Sequence, residues 1–167
     1  SHVAMVLKDP TYINPKLKGI YVWESSWEGK PDPQDGLVKL GVQITPFEEI
    51  YNHYKEKNGY IFHRKLMARY GQITKEKILK IHDVVYSKPY DIILKDWIEE
   101  LTGHDSKPQK TDRFWCSALI GYIYTKLGIL APDTDWSFLR ASDFSEQYEK
   151  NLHFINGCSL VGEIQIL

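Results

Sequence analysis

The sequence predicts an α+β fold built around a mostly antiparallel sheet. Segments of period-two alternation, rich in Val, Ile and aromatic residues, occur near the start, in the middle and at the end of the chain. Segments with helical apolar spacing stand among them, and the two kinds follow one another in mixed order with hairpin-length links. At 167 residues the chain fits one domain, 1–167, long enough to bury a core without disulfides or metal.

SHVAMVL (1–7) reads as a short strand, and a Pro- and Asn-containing connection leads to IYVWES (20–25), a second strand placed to pair with it. WEGKPDPQDG (27–36) is a charged Gly/Pro loop, after which LVKLGVQI (37–44) resumes strand-like alternation. Thr45-Pro46-Phe47-Glu48 has the form of a capping box with Pro at the first helical position, so PFEEIYNHYKEK (46–57) is expected to be a helix, ended by Gly59. YIFHRKL (60–66) has the aromatic and β-branched content of a strand. From Thr74, the spacing of Ile78, Ile81, His82 and Val85 predicts a helix that stops before Pro89. DIILKDWIEELTG (91–103) reads as a further helix and 104–112 as a polar loop. The next helix is expected from about Arg113 to Leu127, with Gly128 as its stop. Ser142 is placed to cap a short helix in SDFSEQYEK, and SLVGEIQIL (159–167) closes the chain as a strand.

Composition narrows the function. Charge is balanced, 21 Lys plus Arg against 22 Asp plus Glu, which argues against a nucleic-acid-binding surface. No apolar run approaches the ~20 residues that span a bilayer, so a soluble, cytoplasmic or intracellular protein is expected. The only cysteines are Cys116 and Cys158, too few for a disulfide scaffold. The histidines are scattered, CxxC is absent and no Gly-rich phosphate loop occurs, so neither metal nor cofactor is expected.

Two readings of Cys116 stand side by side. With Thr111 or Asp112 as N-cap, the thiol falls in the first helical turn, where free N–H groups and the helix dipole stabilise a thiolate. Against that, free Cys is among the most buried residue types, and Cys116, Leu119, Ile120, Ile123 and Leu127 share one apolar face. A nucleophile needs a base within reach and a third group to orient that base. Of the six histidines, His53 and His104 have the surroundings of surface residues, His82 reads as a core histidine, and His63 and His153 are expected in apolar surroundings with no obvious acidic neighbour.

His2 differs. Antiparallel pairing of 2–7 with 20–25 brings the start of the first strand to the end of the second, where His2 and Glu24 meet on compatible faces. A carboxylate beside an imidazole orients it and raises its basicity. The competing reading is a surface glutamate and a Ser-His remnant of tag removal. Glu28 is the alternative to Glu24, and the loop that carries Trp27, Glu28 and Lys30 follows Glu24 directly.

The order S-H-V-x-x-V, a strand ending V-W-E-S, G-V-Q-I-T-P-F-E-E-I, K-P-Y-D and then F-W-C-S-A-L-I resembles the circularly permuted branch of the NlpC/P60 papain-like superfamily. That branch includes bacterial YaeF/YiiX-type proteins, relatives in poxviruses and other large DNA viruses, and, more distantly, lecithin retinol acyltransferase. The resemblance spans most of the chain. It implies a permuted papain-like fold with Cys116 as nucleophile, His2 as general base and Glu24 as the residue orienting it, and it makes Ser1 a natural neighbour of His2. In the branch a Gly-Asp-containing strand usually precedes the histidine, so an N-terminal strand is expected to be missing here. Many bacterial members carry an acidic residue two after the cysteine, where this chain has Ala118.

The activity this implies is a cysteine hydrolase, amidase- or peptidase-like, acting on an amide, ester or thioester of a peptide, peptidoglycan-like or acyl-lipid substrate. The alternatives are acyl transfer of the lecithin retinol acyltransferase type and a non-catalytic peptide- or lipid-binding module on the same fold. Tyr90 matches an aromatic position near the cysteine in such folds. Trp27 on the loop and Trp115 beside the nucleophile are the other candidates for contacting substrate. For Trp115, as for Trp136 and Phe138, packing of the cysteine helix onto the sheet is the competing role. The Lys-, Ile- and Tyr-rich composition and the viral relatives fit a large DNA virus as source.

Overall fold

The strand-forming residues at 20–27 organise the molecule. In the computed structural model, which describes residues 1–90 and 114–167, Ile20–Trp27 is the central strand β2 of a three-stranded antiparallel sheet, flanked by β1 (Met5–Lys8) and β3 (Leu40–Pro46). Its register sets Met5 against Trp23 and Lys8 against Ile20 on one side, and Trp23 against Ile44 and Glu24 against Gln43 on the other. The α+β class is therefore as the sequence predicts, and every strand pair among the described residues is antiparallel. β1 is shorter than 1–7, and residues 1–4 run on from it outside the regular strand. β3 begins three residues later than predicted, because Asp32 accepts Lys39 Nζ at 3.0 Å and its N–H bonds Leu37 O at 2.9 Å, holding 32–39 in a turn.

α1 (Phe47–Glu56) follows β3 without a loop and packs on β2 and β3. Thr45 does not cap it: Thr45 is still extended, Pro46 is the N-cap residue, and no side chain caps the helix. The predicted strand 60–66 is broken in two. β4 (Phe62–His63) pairs with β7 (Ile164–Gln165), and β5 (Leu66–Met67) pairs with β6 (Ser159–Leu160). Between them the Arg64 guanidinium donates to the carbonyls of Val161 at 2.8 Å and Phe144 at 3.1 Å and to Glu149 at 2.5 Å, which turns this residue out of a continuous ladder. α2 (Lys75–Val85) starts as predicted, with Thr74 Oγ1 accepting the N–H of Lys77 at 3.3 Å.

α3 (Cys116–Lys126) is the central helix; every residue from Cys116 to Tyr124 is buried, so the helix is covered on all sides and not on one face alone. It ends at the expected Gly128, whose φ of 70° is the left-handed conformation of a helix stop. It starts three residues later than predicted, with Trp115 as N-cap residue and no side-chain cap. The caps expected at Thr111 and Asp112, and the helix expected at 91–103, lie outside the described residues. Ser142 does not cap a helix either: it sits inside a 3₁₀ turn, Ala141–Phe144, closed by Asp143 Oδ2 accepting the N–H of Arg140 at 2.7 Å.

Residues 88–90 extend the sheet beyond β3. Gly41 bridges Pro89, Val42 N–H bonds Lys88 O at 2.8 Å, and Tyr90 N–H bonds Leu40 O at 3.2 Å. This approach requires glycine at 41, where φ is 146° and a Cβ would lie 2.2 Å from Lys88 O. Phe114 N–H then bonds Pro89 O at 3.0 Å, which brings the start of α3 to the sheet.

Candidate functional site

Adjacent residues of a strand point to opposite faces, and β2 uses this to join three parts of the chain. Ser25 donates its hydroxyl to Phe114 O at 2.6 Å, two residues before Cys116, and so fixes the start of α3. Glu24 points the other way and is fully buried. One of its oxygens lies 2.7 Å from His2 Nε2, and the other accepts the Thr45 hydroxyl at 2.5 Å. A carboxylate tolerates the core when both oxygens are partnered, as here.

The Cys116 thiol is the other group that acts on the His2 side chain. Nε2 is engaged by Glu24, and a proton held there by the carboxylate keeps Nδ1 able to accept. Cys116 is the first residue of α3, which no side chain caps, and the backbone N–H groups of Ser117 and Val3 favour its thiolate. Burial pushes the thiol up, but the hydrogen bond and positive charge of His2, with the two N–H groups, outweigh it and hold Cys116 below the usual thiol value. Burial likewise pulls the imidazolium down, and the hydrogen bonds and negative charges of Cys116 and Glu24 reverse this, raising His2 to about 10. The pair therefore favours thiolate and imidazolium.

The three residues singled out as nucleophile, base and orienting acid are thus brought together: Glu24 is hydrogen-bonded to His2, and His2 and Cys116 each shift the other's titration. Glu28 is not on His2: it accepts Ser26 Oγ at 3.0 Å, and Ser26 Oγ accepts from Gln43 Nε2 at 2.9 Å. Trp27 is 60 % exposed at the end of β2. The loop after it is tied to α1 by Lys30 and Glu49, 3.1 Å apart. Trp115 is half-buried against the core, its indole N–H 3.4 Å from Leu139 O. Trp136 packs against both Phe114 and Tyr122, ring centres 5.6 and 5.3 Å away, and so holds α3 in place. Tyr90 lies one residue past the Pro89 carbonyl that receives Phe114 N–H, which brings this part of the chain to the start of α3 in space. His82 bonds Gln34 Oε1 at 2.8 Å and burial lowers its pKa, the behaviour of a partnered, half-buried histidine. His53, His63 and His153 are exposed.

Two contributors were not singled out from sequence. Thr45 was hidden by its resemblance to a helix cap; its real signal is that it lies two residues from Gln43, the partner of Glu24, on the same face of β3. Tyr54 of α1 lies where burial first, and then the negative charges of Glu24, Glu28 and Cys116, raise its pKa, so the phenol stays a hydrogen-bond donor beside the site. Its signal is the helical stripe Phe47, Ile50, Tyr51, Tyr54.

Among the described residues no group of three or more His, Cys, Asp or Glu is placed to hold a metal ion, and no helix is long and apolar enough to cross a membrane. Comparison with family models, with curated proteins and with solved structures finds none that matches this chain.

Proposed function

We propose that the protein is a cysteine hydrolase that cleaves an amide, ester or thioester through an acyl-enzyme, on a permuted papain-like fold. One arrangement carries this reading: the thiol at the N-terminus of α3 and an imidazole held at 2.7 Å by a buried carboxylate act on one another, the first favoured as thiolate and the second as imidazolium. The thiolate of Cys116 attacks the carbonyl carbon, and the C=O electron pair becomes an oxyanion facing the free N–H groups of the helix start. Collapse of this intermediate breaks the bond to the leaving group, which takes its proton from the His2 imidazolium. Neutral His2 then removes a proton from water, hydroxide adds to the thioester, and the acid departs as the Cys116 thiolate re-forms. Glu24 keeps the ring in the tautomer and orientation both steps require, and Thr45 keeps Glu24 in place.

The test is the rate of iodoacetamide labelling of Cys116 against pH, with Cys158→Ser as background. Labelling well below the ~8.5 of a free thiol, and slower labelling at neutral pH in His2→Ala, supports the hydrolase. A Cys116 that labels only after denaturation is a packed core thiol, and the reading fails.

A further inference from the structure

A cavity of about 490 Å³ opens beside the candidate site. Every residue from 3 to 8 lines it. Alternate residues of a strand face opposite ways, so lining by both parities means that the edge of β1, and not one of its faces, borders the space. β1 is the outer strand of its sheet, and among the described residues no strand pairs with its outer edge. The opposite wall is the segment 62–66, and Ile78, Ile120, Tyr124 and Phe144 supply apolar lining. Cys116, Ile120 and Tyr124 lie four residues apart on one stripe of α3, and Val3, at one end of the edge, directly follows His2 in the chain. The space therefore leads away from the nucleophile along a strand edge.

We propose that this cavity receives an extended polypeptide, which adds as a strand to the outer edge of β1 with alternate apolar side chains in the cavity. The edge presents main-chain donors and acceptors that an extended backbone can satisfy and an acyl chain cannot. Charge agrees with this occupant. Lys8 ends β1 and Lys65 stands on the opposite wall; both are exposed and neither is in an ion pair among the described residues, while Arg64 is already bound to Glu149. Lys8 is five residues along the strand from Val3, so an acidic residue of the polypeptide is expected roughly five residues from the group held at Cys116, since strand rises match. The hydrolase reading is needed only to call this polypeptide the substrate.

The experiment uses the Cys116→Ala protein, which binds without turnover, and a library of acetylated hexapeptide amides with Val, Leu or Phe at alternate positions and Glu, Ser or Lys at either end. The expected result is hydrogen-exchange protection, by about tenfold or more, of alternate amides within residues 3–8. Backbone N-methylation of the peptide at positions of one parity should weaken binding by about tenfold per hydrogen bond lost, and at the other parity by less than about twofold. Lys8→Glu should shift the preference from Glu to Lys at the far end. Three results overturn the proposal: no library member protects the edge, binding is indifferent to N-methylation at both parities, or laurate occupies the cavity and no peptide does. Labelling of Cys116 in the native protein is scored separately. Peptide binding with an inert thiol keeps the strand site and removes the hydrolase, whereas a reactive thiol without peptide binding does the reverse.

Discussion

Glu24→Gln separates the charge of the orienting residue from its shape. The amide can still accept from His2 Nε2–H, and by presenting its NH₂ to the Thr45 oxygen it keeps the second hydrogen bond. The negative charge is lost, across an Nε2 to Oε2 distance of 2.7 Å in which the glutamate side chain is only 1 % exposed. Unit charges with centres about 4 Å apart interact by about 4 kcal/mol at an effective dielectric near 20, equivalent to about 3 pH units. The amide dipole and local relaxation recover part of this, leaving an expected fall of about 2 units in the imidazolium, from its starting value of about 10. The thiol moves the opposite way, since a less persistent imidazolium stabilises the thiolate less. In the native protein the labelling rate of Cys116 should rise through a depressed thiol value, hold level, and change again near pH 10, where His2 loses its proton. In Glu24→Gln that level region should narrow from both ends, with the lower midpoint rising by about 1 unit or more. A lower midpoint within about 0.3 unit of the native one, worth only about 0.4 kcal/mol, in a variant of native stability would refute the assignment of Glu24 as the charge behind His2.

Thr45→Val leaves one oxygen of the buried Glu24 carboxylate without its hydroxyl partner; it should cost about 1–3 kcal/mol in urea unfolding and slow labelling at neutral pH. Gly121→Ala places a Cβ 2.6 Å from Leu139 Cδ1 and 3.0 Å from Trp136 Cβ, so α3 must shift away from the turn that holds it, with a loss of about 1–3 kcal/mol measured by thermal or urea unfolding. His2→Ala should cost stability in a pH-dependent way. Because the folded value of about 10 exceeds the ordinary 6.5, the imidazolium contributes in full below 6.5, less across the interval, and nothing above about 10. Native and variant unfolding energies should therefore converge as pH rises, and a constant gap would show that the ring acts by packing alone.

What could be read from the chain, and what could not, follows from where each residue gets its partner. β2 is visible because its β-branched and aromatic residues state their own preference, and the Thr74 cap and the Gly128 stop are visible because their hydrogen bonds or backbone angles are local. Thr45 was misread for the converse reason. Thr-Pro-Phe-Glu carries the local signs of a cap, but the strand runs straight into the helix and the hydroxyl is drawn to Glu24, 21 residues away in sequence. Arg64 breaks the strand expected at 60–66 through carbonyls and a carboxylate more than 80 residues ahead or close to it, which no window on that segment can contain. His2 and Glu24 were juxtaposed from the pairing of two strands, but their contact depends on register, and register is a tertiary property.

Register is also what gives Cys116 its surroundings. Glu24 and Ser25 point to opposite sides of β2, the first holding His2 and the second holding the carbonyl two residues before Cys116. A slip of one residue would turn each to the opposite side: in one direction a serine hydroxyl would take the place beside His2, and in the other a carboxylate would be set against the Phe114 carbonyl, where it would be repelled. The buried Trp23 and Val22 make that slip costly, since an indole and an isopropyl group would have to trade places packed for different volumes. The hydrophobic pattern of β2 therefore does more than bury a core. By fixing which face each of its residues takes, it determines that the thiol at the start of α3 meets an imidazole backed by a carboxylate.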